Sequence, residues 1–62
     1  MINRRMYMRT EAQAKRLARE LEELSGVCHA YVYDKTKVEV SYTSTDAERY
    51  GDRLFWEIDR EN

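Results

Sequence analysis

Three stretches of the chain alternate between apolar and polar residues. Residues 27 to 33 and 37 to 43 are rich in β-branched and aromatic side chains, which predicts two strands joined around residues 34 to 36. We expect these two strands to form an antiparallel hairpin. Residues 2 to 9 alternate in the same way, so we predict a third strand there.

Two further stretches carry apolar residues at helical spacing. A capping-box pattern at residues 10 to 13 predicts the start of the first helix, and Gly26 predicts its end, because glycine readily takes the left-handed conformation. A second capping box at residues 45 to 48, with Thr45 as the cap, opens another helix. The predicted apolar faces are Ala14, Leu17, Ala18, Leu21 and Leu24 in the first helix and Ala47, Tyr50, Gly51, Leu54 and Ile58 in the second.

The predicted order of elements is β-α-β-β-α, which defines a small α+β fold with a single domain over residues 1 to 62. A crossover through the first helix makes the first two strands parallel, and the third strand lies between or beside them. We predict that both helices pack on one face of the three-stranded sheet. The other sheet face has no element left to cover it, so it is a candidate functional surface.

The direction of Tyr31 and Tyr33 depends on the length of the hairpin loop. A three-residue loop turns both tyrosines towards the open face, whereas a loop of two or four residues turns them into the core. The three-residue loop needs a left-handed residue at Thr36, which is unfavourable for a β-branched side chain, so both orientations stay open. With the three-residue loop, the side chains of this strand that face the helices are Cys28, Ala30 and Val32.

The composition is that of a folded domain, with 42% hydrophobic and 37% charged residues and a net charge of −1. Residues 1 to 16 are mainly basic and residues 45 to 62 mainly acidic, and this polarity can steer a charged partner or a second copy of the chain. The chain has no apolar run long enough for a membrane helix or a signal peptide, and Cys28 is the only cysteine. We therefore expect a cytoplasmic protein without a membrane partner or a disulfide.

The residue types argue against enzymatic activity. Cys28 and His29 are adjacent, so on a regular strand they project to opposite faces and cannot act as nucleophile and base. One cysteine and one histidine without a recognised ligand spacing do not predict a metal site. Neither glycine, Gly26 or Gly51, belongs to a phosphate-binding loop. We predict no catalytic residues, no metal, no other cofactor and no small-molecule substrate.

The leading hypothesis is a small protein-binding module. Trp56 falls on the side of the second helix opposite the apolar face, and an exposed tryptophan among arginines is typical of an interface hot spot. An adaptor or inhibitor, of the size that phages and mobile elements encode, would contact a larger protein or act as a homodimer. The predicted interface residues are Trp56, Arg53, Arg49, Arg60, Tyr31 and Tyr33.

The alternative hypothesis is a platform for single-stranded RNA or DNA on the open sheet face. Outward tyrosines edged by arginines would stack on bases and contact phosphates. The near-zero net charge and the absence of a ribonucleoprotein consensus place this hypothesis second. Its predicted contact residues are Tyr7, Arg5, Arg9, Tyr31 and Tyr33.

Overall fold

A computed structural model describes residues 1 to 61. The five predicted elements are present in the predicted order, so the α+β fold and the strand near the N-terminus are confirmed. The elements are β1 Ile2–Tyr7, α1 Glu11–Glu22, β2 Val27–Asp34, β3 Lys37–Tyr42 and α2 Thr45–Arg60.

The three strands form one sheet in the order β1-β3-β2, and both neighbouring pairs are antiparallel. β1 and β2 therefore run parallel, with β3 between them. α1 packs over β2 and β3, α2 packs over β1 and β3, and the two helices contact each other, which leaves the opposite sheet face open. The core consists of Met6, Met8, Ala30, Val38, Val40 and Tyr42 from the strands and their flanks, with Ala14, Leu17, Ala18, Leu21, Ala47 and Ile58 from the helices.

The register of the β2–β3 hairpin decides the direction of the tyrosines. Val32 pairs with Val38, and Tyr31 pairs with Glu39. Because side chains alternate across a sheet, Val32 faces the helices and Tyr31 faces away from them. The side chains of Tyr31 and Tyr33 are 47% and 38% exposed. Of the two orientations left open by the sequence, the outward one is found.

The loop that produces this register differs from the expected one. Asp34 pairs with Lys37, so the connection has two residues, and Lys35 instead of Thr36 takes the left-handed conformation, with φ of 47°. Tyr33 is an additional residue at a register shift in β2. This bulge moves the pairing by one residue. The predicted link between a two-residue loop and buried tyrosines was wrong because it assumed a regular strand.

A second irregularity in β2 changes the position of Cys28. The register shifts between Val27 and His29, so Cys28 is an extra residue outside the regular alternation. Its thiol is exposed, and its Sγ lies 3.1 Å from Sδ of Met1. Outward tyrosines were expected to bring Cys28 to the helix side together with Ala30, and for Cys28 this was wrong because of the irregularity at this residue.

The first helix begins where the sequence predicted and ends earlier. Oγ1 of Thr10 accepts a hydrogen bond of 3.1 Å from the backbone N–H of Gln13, which is the predicted N-cap. Oε1 of Gln13 accepts from the N–H of Arg9, one residue before the expected donor. α1 ends at Glu22, and Gly26, with φ of 87°, lies in the turn into β2 instead of closing the helix.

The second helix differs from its prediction at two residues. Ser44, not Thr45, is the N-cap, since its Oγ accepts from the N–H of Ala47 at 3.2 Å. Tyr50, predicted on the buried face, is 57% exposed. It lies about 60° around the helix from Ala47, and α2 approaches the sheet so closely at Gly51 that its contact face is too narrow to include Tyr50.

The close approach of α2 to the sheet takes place at Gly51 and Tyr42. A Cβ atom on Gly51 would lie 2.0 Å from the Tyr42 hydroxyl oxygen. Tyr42 is fully buried, and its hydroxyl has no hydrogen-bond partner among residues 1 to 61. The pKa of Tyr42 is raised to about 12, mainly by burial and to a smaller extent by the nearby carboxylates of Asp52 and Glu48.

Candidate protein interface

The uncovered side of the sheet, called the open face below, is a mixed polar and aromatic surface. Its outer strands bring three tyrosines to the surface, and Tyr7 is the most exposed of them at 61%. The central strand β3 contributes polar side chains only. The open face is formed by Asn3, Arg5, Tyr7, His29, Tyr31, Tyr33, Lys37, Glu39 and Ser41.

Glu39 organises the centre of the open face. It accepts a hydrogen bond of 2.8 Å from the Tyr31 hydroxyl, and Nε of Arg5 and Nε2 of His29 lie 3.5 Å and 3.8 Å from its carboxylate. The hydrogen bond between Tyr31 and Glu39 is the main cause of two pKa shifts. It lowers the pKa of Glu39 and raises the pKa of Tyr31. A carboxylate in this position repels phosphate groups, so the centre of the face is unfavourable for a nucleic-acid backbone.

The remaining tyrosines of the open face are contacted by cations. The guanidinium carbon of Arg5 lies 5.3 Å from the centre of the Tyr33 ring, and Nζ of Lys37 lies 5.5 Å from that of Tyr7. Partial burial, together with the neighbouring Tyr7, raises the pKa of Tyr33. These contacts hold the rings against the sheet and occupy the cations that a phosphate would need.

The charge polarity of the chain is largely satisfied within the fold. Arg4 binds Glu48 at 2.5 Å, Arg9 binds Asp59 at 3.1 Å, and Arg16 binds Glu61. These ion pairs join the basic N-terminal part of the chain to the acidic α2 and to Glu61, the residue that follows it. Arg9 is thereby turned towards α2, and the structure does not bring it together with the tyrosines of the open face.

The exposed side of α2 has a different electrostatic character. Trp56 is 59% exposed and lies opposite the buried residues of its helix, as the sequence predicted. Within residues 1 to 61, no acidic oxygen lies within 4.0 Å of the side-chain nitrogens of Arg49, Arg53 or Arg60. No cation–π contact covers Trp56 in the described part of the chain. These arginines therefore remain available to a partner.

The structure adds a feature that the sequence analysis missed, a groove between β1 and α2. Phe55 and Trp56 pack edge to face, with ring centres 5.2 Å apart and an angle of 78°. β1 is an edge strand, so its outer side borders this groove directly. Finding it from sequence would require knowing how closely α2 lies to the edge strand β1, which depends on how the elements pack. The edge groove has a volume of about 410 Å³ and is lined by Arg5, Met6, Tyr7, Asp52, Phe55 and Trp56.

The edge groove links the two surfaces that the sequence analysis treated separately. Trp56 lies on the helix side of β1, whereas Arg5 and Tyr7 are on the open face of the same strand. Tyr31 and Tyr33 are on the far strand β2, so they are not part of this groove. The predicted interface residues thus fall into two groups, one around Trp56 and the β1 edge and one on the open face.

Other chemistry is sparse in the described residues. Among residues 1 to 61, no three His, Cys, Asp or Glu side chains are grouped as a metal site would need. No helix in this part of the chain combines the length and apolar character needed to cross a membrane. Comparison with known proteins found no matching family model, no similar curated protein and no similar solved structure.

Proposed function

We propose that this chain is a small, non-enzymatic protein-binding module. It acts in the cytoplasm as an adaptor or inhibitor, by surface contact with a larger protein or with a second copy of itself. The observation that carries the proposal is the exposed Trp56 beside Phe55 in a groove bordered by an edge strand. Tryptophan and arginine dominate interface energetics, and an edge strand offers backbone hydrogen bonds to a partner.

The arrangement of charges supports the same proposal. Arg4, Arg9 and Arg16 hold α2 to the rest of the fold through ion pairs. Arg49 and Arg53 form no ion pair of this kind among residues 1 to 61, so the fold does not use their charges in this way. Their guanidinium groups are suited to carboxylates at the rim of an interface around an aromatic anchor.

Replacing Trp56 with Ala tests this role. We expect the affinity for a protein captured on the immobilised chain to fall about tenfold or more, because truncation removes the anchor of the groove. The fold should be retained, because Trp56 is exposed. The circular dichroism spectrum and the melting curve of the variant check this directly. The affinity is measured by titration of the purified partner.

Tyr50 provides the matched control. It is equally exposed on α2 but lies on the other side of the helix, outside the edge groove. Tyr50→Ala should leave binding unchanged. Equal affinities for wild type and Trp56→Ala would remove Trp56 from the interface and refute the proposal as stated.

Single-stranded nucleic-acid binding is the second candidate function, favoured by one observation. Tyr7, Tyr31 and Tyr33 are all exposed on the same sheet face. If these rings stack on bases, oligonucleotides should shift their resonances in NMR spectra, and the affinity should fall steeply with salt. Unchanged tyrosine resonances at low salt would exclude this function. The involvement of Arg5 with Glu39 makes protein binding the better supported of the two.

A further inference from the structure

The outer side of β1 presents unpaired backbone groups. The N–H of Met8 donates to the carbonyl of Thr36 at 2.9 Å, in line with the β1–β3 register. In an antiparallel pair, hydrogen-bonded positions recur every two residues, so the backbone groups of even-numbered β1 residues face β3. Those of Asn3, Arg5 and Tyr7 consequently point away from the sheet. The guanidinium of Arg4 covers one of them, the Asn3 carbonyl, at 3.0 Å.

The two edges of the sheet are protected to different degrees. β2 carries two irregularities, at Cys28 and Tyr33, and bulges of this kind prevent another strand from pairing. Charged side chains of α1 also flank β2, among them Lys15 and Arg19. β1 pairs regularly over its whole length, and aromatic side chains border it. β1, the strand next to Trp56, is therefore the less protected edge.

We propose that β1 pairs with β1 of a second copy, antiparallel about a two-fold axis at Met6. This inference rests on the proposed protein-binding function and names its partner. Outward backbone groups belong to odd-numbered residues, so a self-pair has to match odd with odd. An axis at Arg4 or Arg5 would place identical arginines opposite each other, whereas the axis at Met6 places Arg5 opposite Tyr7 of the partner subunit.

The chosen register is favourable on both sides of the joined sheet. On the open face, Arg5 of one copy lies opposite Tyr7 of the other, so no like charges face each other. Arg5 keeps its contact with Tyr33 and Tyr7 keeps its contact with Lys37 within each chain. On the helix face, Met6 lies at the axis with Phe55 and Trp56 beside it, so the two edge grooves meet there and bring their aromatic rings together, with Asp52 also in the lining of each groove. Since Arg4 occupies the Asn3 carbonyl, the new hydrogen bonds are those between Arg5 and Tyr7.

Amide hydrogen exchange of the full chain tests the proposal. In the monomer the N–H groups of Arg5 and Tyr7 point to solvent, whereas in the dimer they are hydrogen-bonded. We expect their exchange to slow about tenfold or more between micromolar and millimolar protein, in step with dimer formation seen by sedimentation. A chain that stays monomeric at millimolar concentration, or a dimer in which these two amides exchange at the monomer rate, overturns the proposal.

A pair of variants separates backbone pairing from side-chain effects. Arg5→Pro removes an N–H that points away from β3, so the fold should persist while dimerisation is lost. Arg5→Ala removes the same side chain but keeps the N–H, and it should retain a measurable dimer. Equal dimerisation of the proline and alanine variants would overturn the strand pairing. A monomeric chain that still binds another protein through Trp56 would refute this inference and leave the proposed function standing.

Discussion

Replacing Gly51 with Ala should lower the free energy of unfolding by about 3 kcal/mol, a typical upper value for overpacking in a core. The added Cβ would lie 2.0 Å from the hydroxyl oxygen of Tyr42 and 2.6 Å from Cζ of the same ring. Either α2 has to move away from the sheet or the Tyr42 ring has to leave its buried position next to Gly51. Denaturant unfolding monitored by circular dichroism measures the effect.

The expected sign of this result is opposite to that of helix propensity. Alanine is favoured over glycine by about 1 kcal/mol in the interior of a helix, so an exposed glycine in α2 would gain stability from the same change. The matched control is the double variant Gly51→Ala with Tyr42→Leu, in which the clashing ring atoms are absent. Without the clash only helix propensity remains, so this double variant should be more stable than Tyr42→Leu alone, by up to about 1 kcal/mol. A stabilised Gly51→Ala single variant would contradict the close approach of helix and sheet.

Stability should fall between pH 10 and pH 12, and Tyr42→Phe should abolish most of that fall. The pKa of Tyr42 is raised to about 12 in the folded chain, whereas an unfolded tyrosine titrates near 10. Folding therefore favours the neutral hydroxyl of Tyr42. The contribution of this group to the free energy of unfolding is complete below pH 10 and is lost as the pH rises to 12. Two pKa units correspond to about 2.7 kcal/mol.

Urea unfolding at pH 7 and at several pH values up to 12 measures this dependence. At pH 7, Tyr42→Phe should be more stable than wild type by about 1 kcal/mol, because the hydroxyl is buried without a partner among the described residues. Tyr50→Phe serves as a control, since Tyr50 is 57% exposed on the surface of α2. The same alkaline loss in Tyr42→Phe and wild type would show that other groups cause it.

The secondary structure was predictable because its signals are local. Thr10 caps α1 through the amide three residues later, and the spacing of Leu17 and Leu21 marks the buried side of that helix. The alternation in β3 placed Val38 and Val40 towards the helices, as observed. The exposed position of Trp56 followed from the same periodicity. Each of these features depends on residues within one or two turns or on a single strand.

The details that govern the candidate interface depend on contacts between distant residues. A single extra residue at Tyr33 sets which face the hairpin tyrosines occupy, and a bulge leaves no reliable mark in the sequence. Tyr50 has the spacing of a buried residue, but the contact at Gly51 brings α2 so close to Tyr42 that Tyr50 is left outside. Local patterns cannot show how closely two elements approach.

The sequence by itself determined the five elements, the polarity of charge and the exposure of Trp56, because periodicity and composition act over short stretches of chain. Only the tertiary structure decided that Arg4 and Arg9 form ion pairs with α2 and that β1 is an edge strand beside Trp56. Strand order and ion-pair partners are set by packing the elements together. Arg4 and Glu48 are separated by 44 positions and Arg9 and Asp59 by 50, so each pair meets only when that packing is complete.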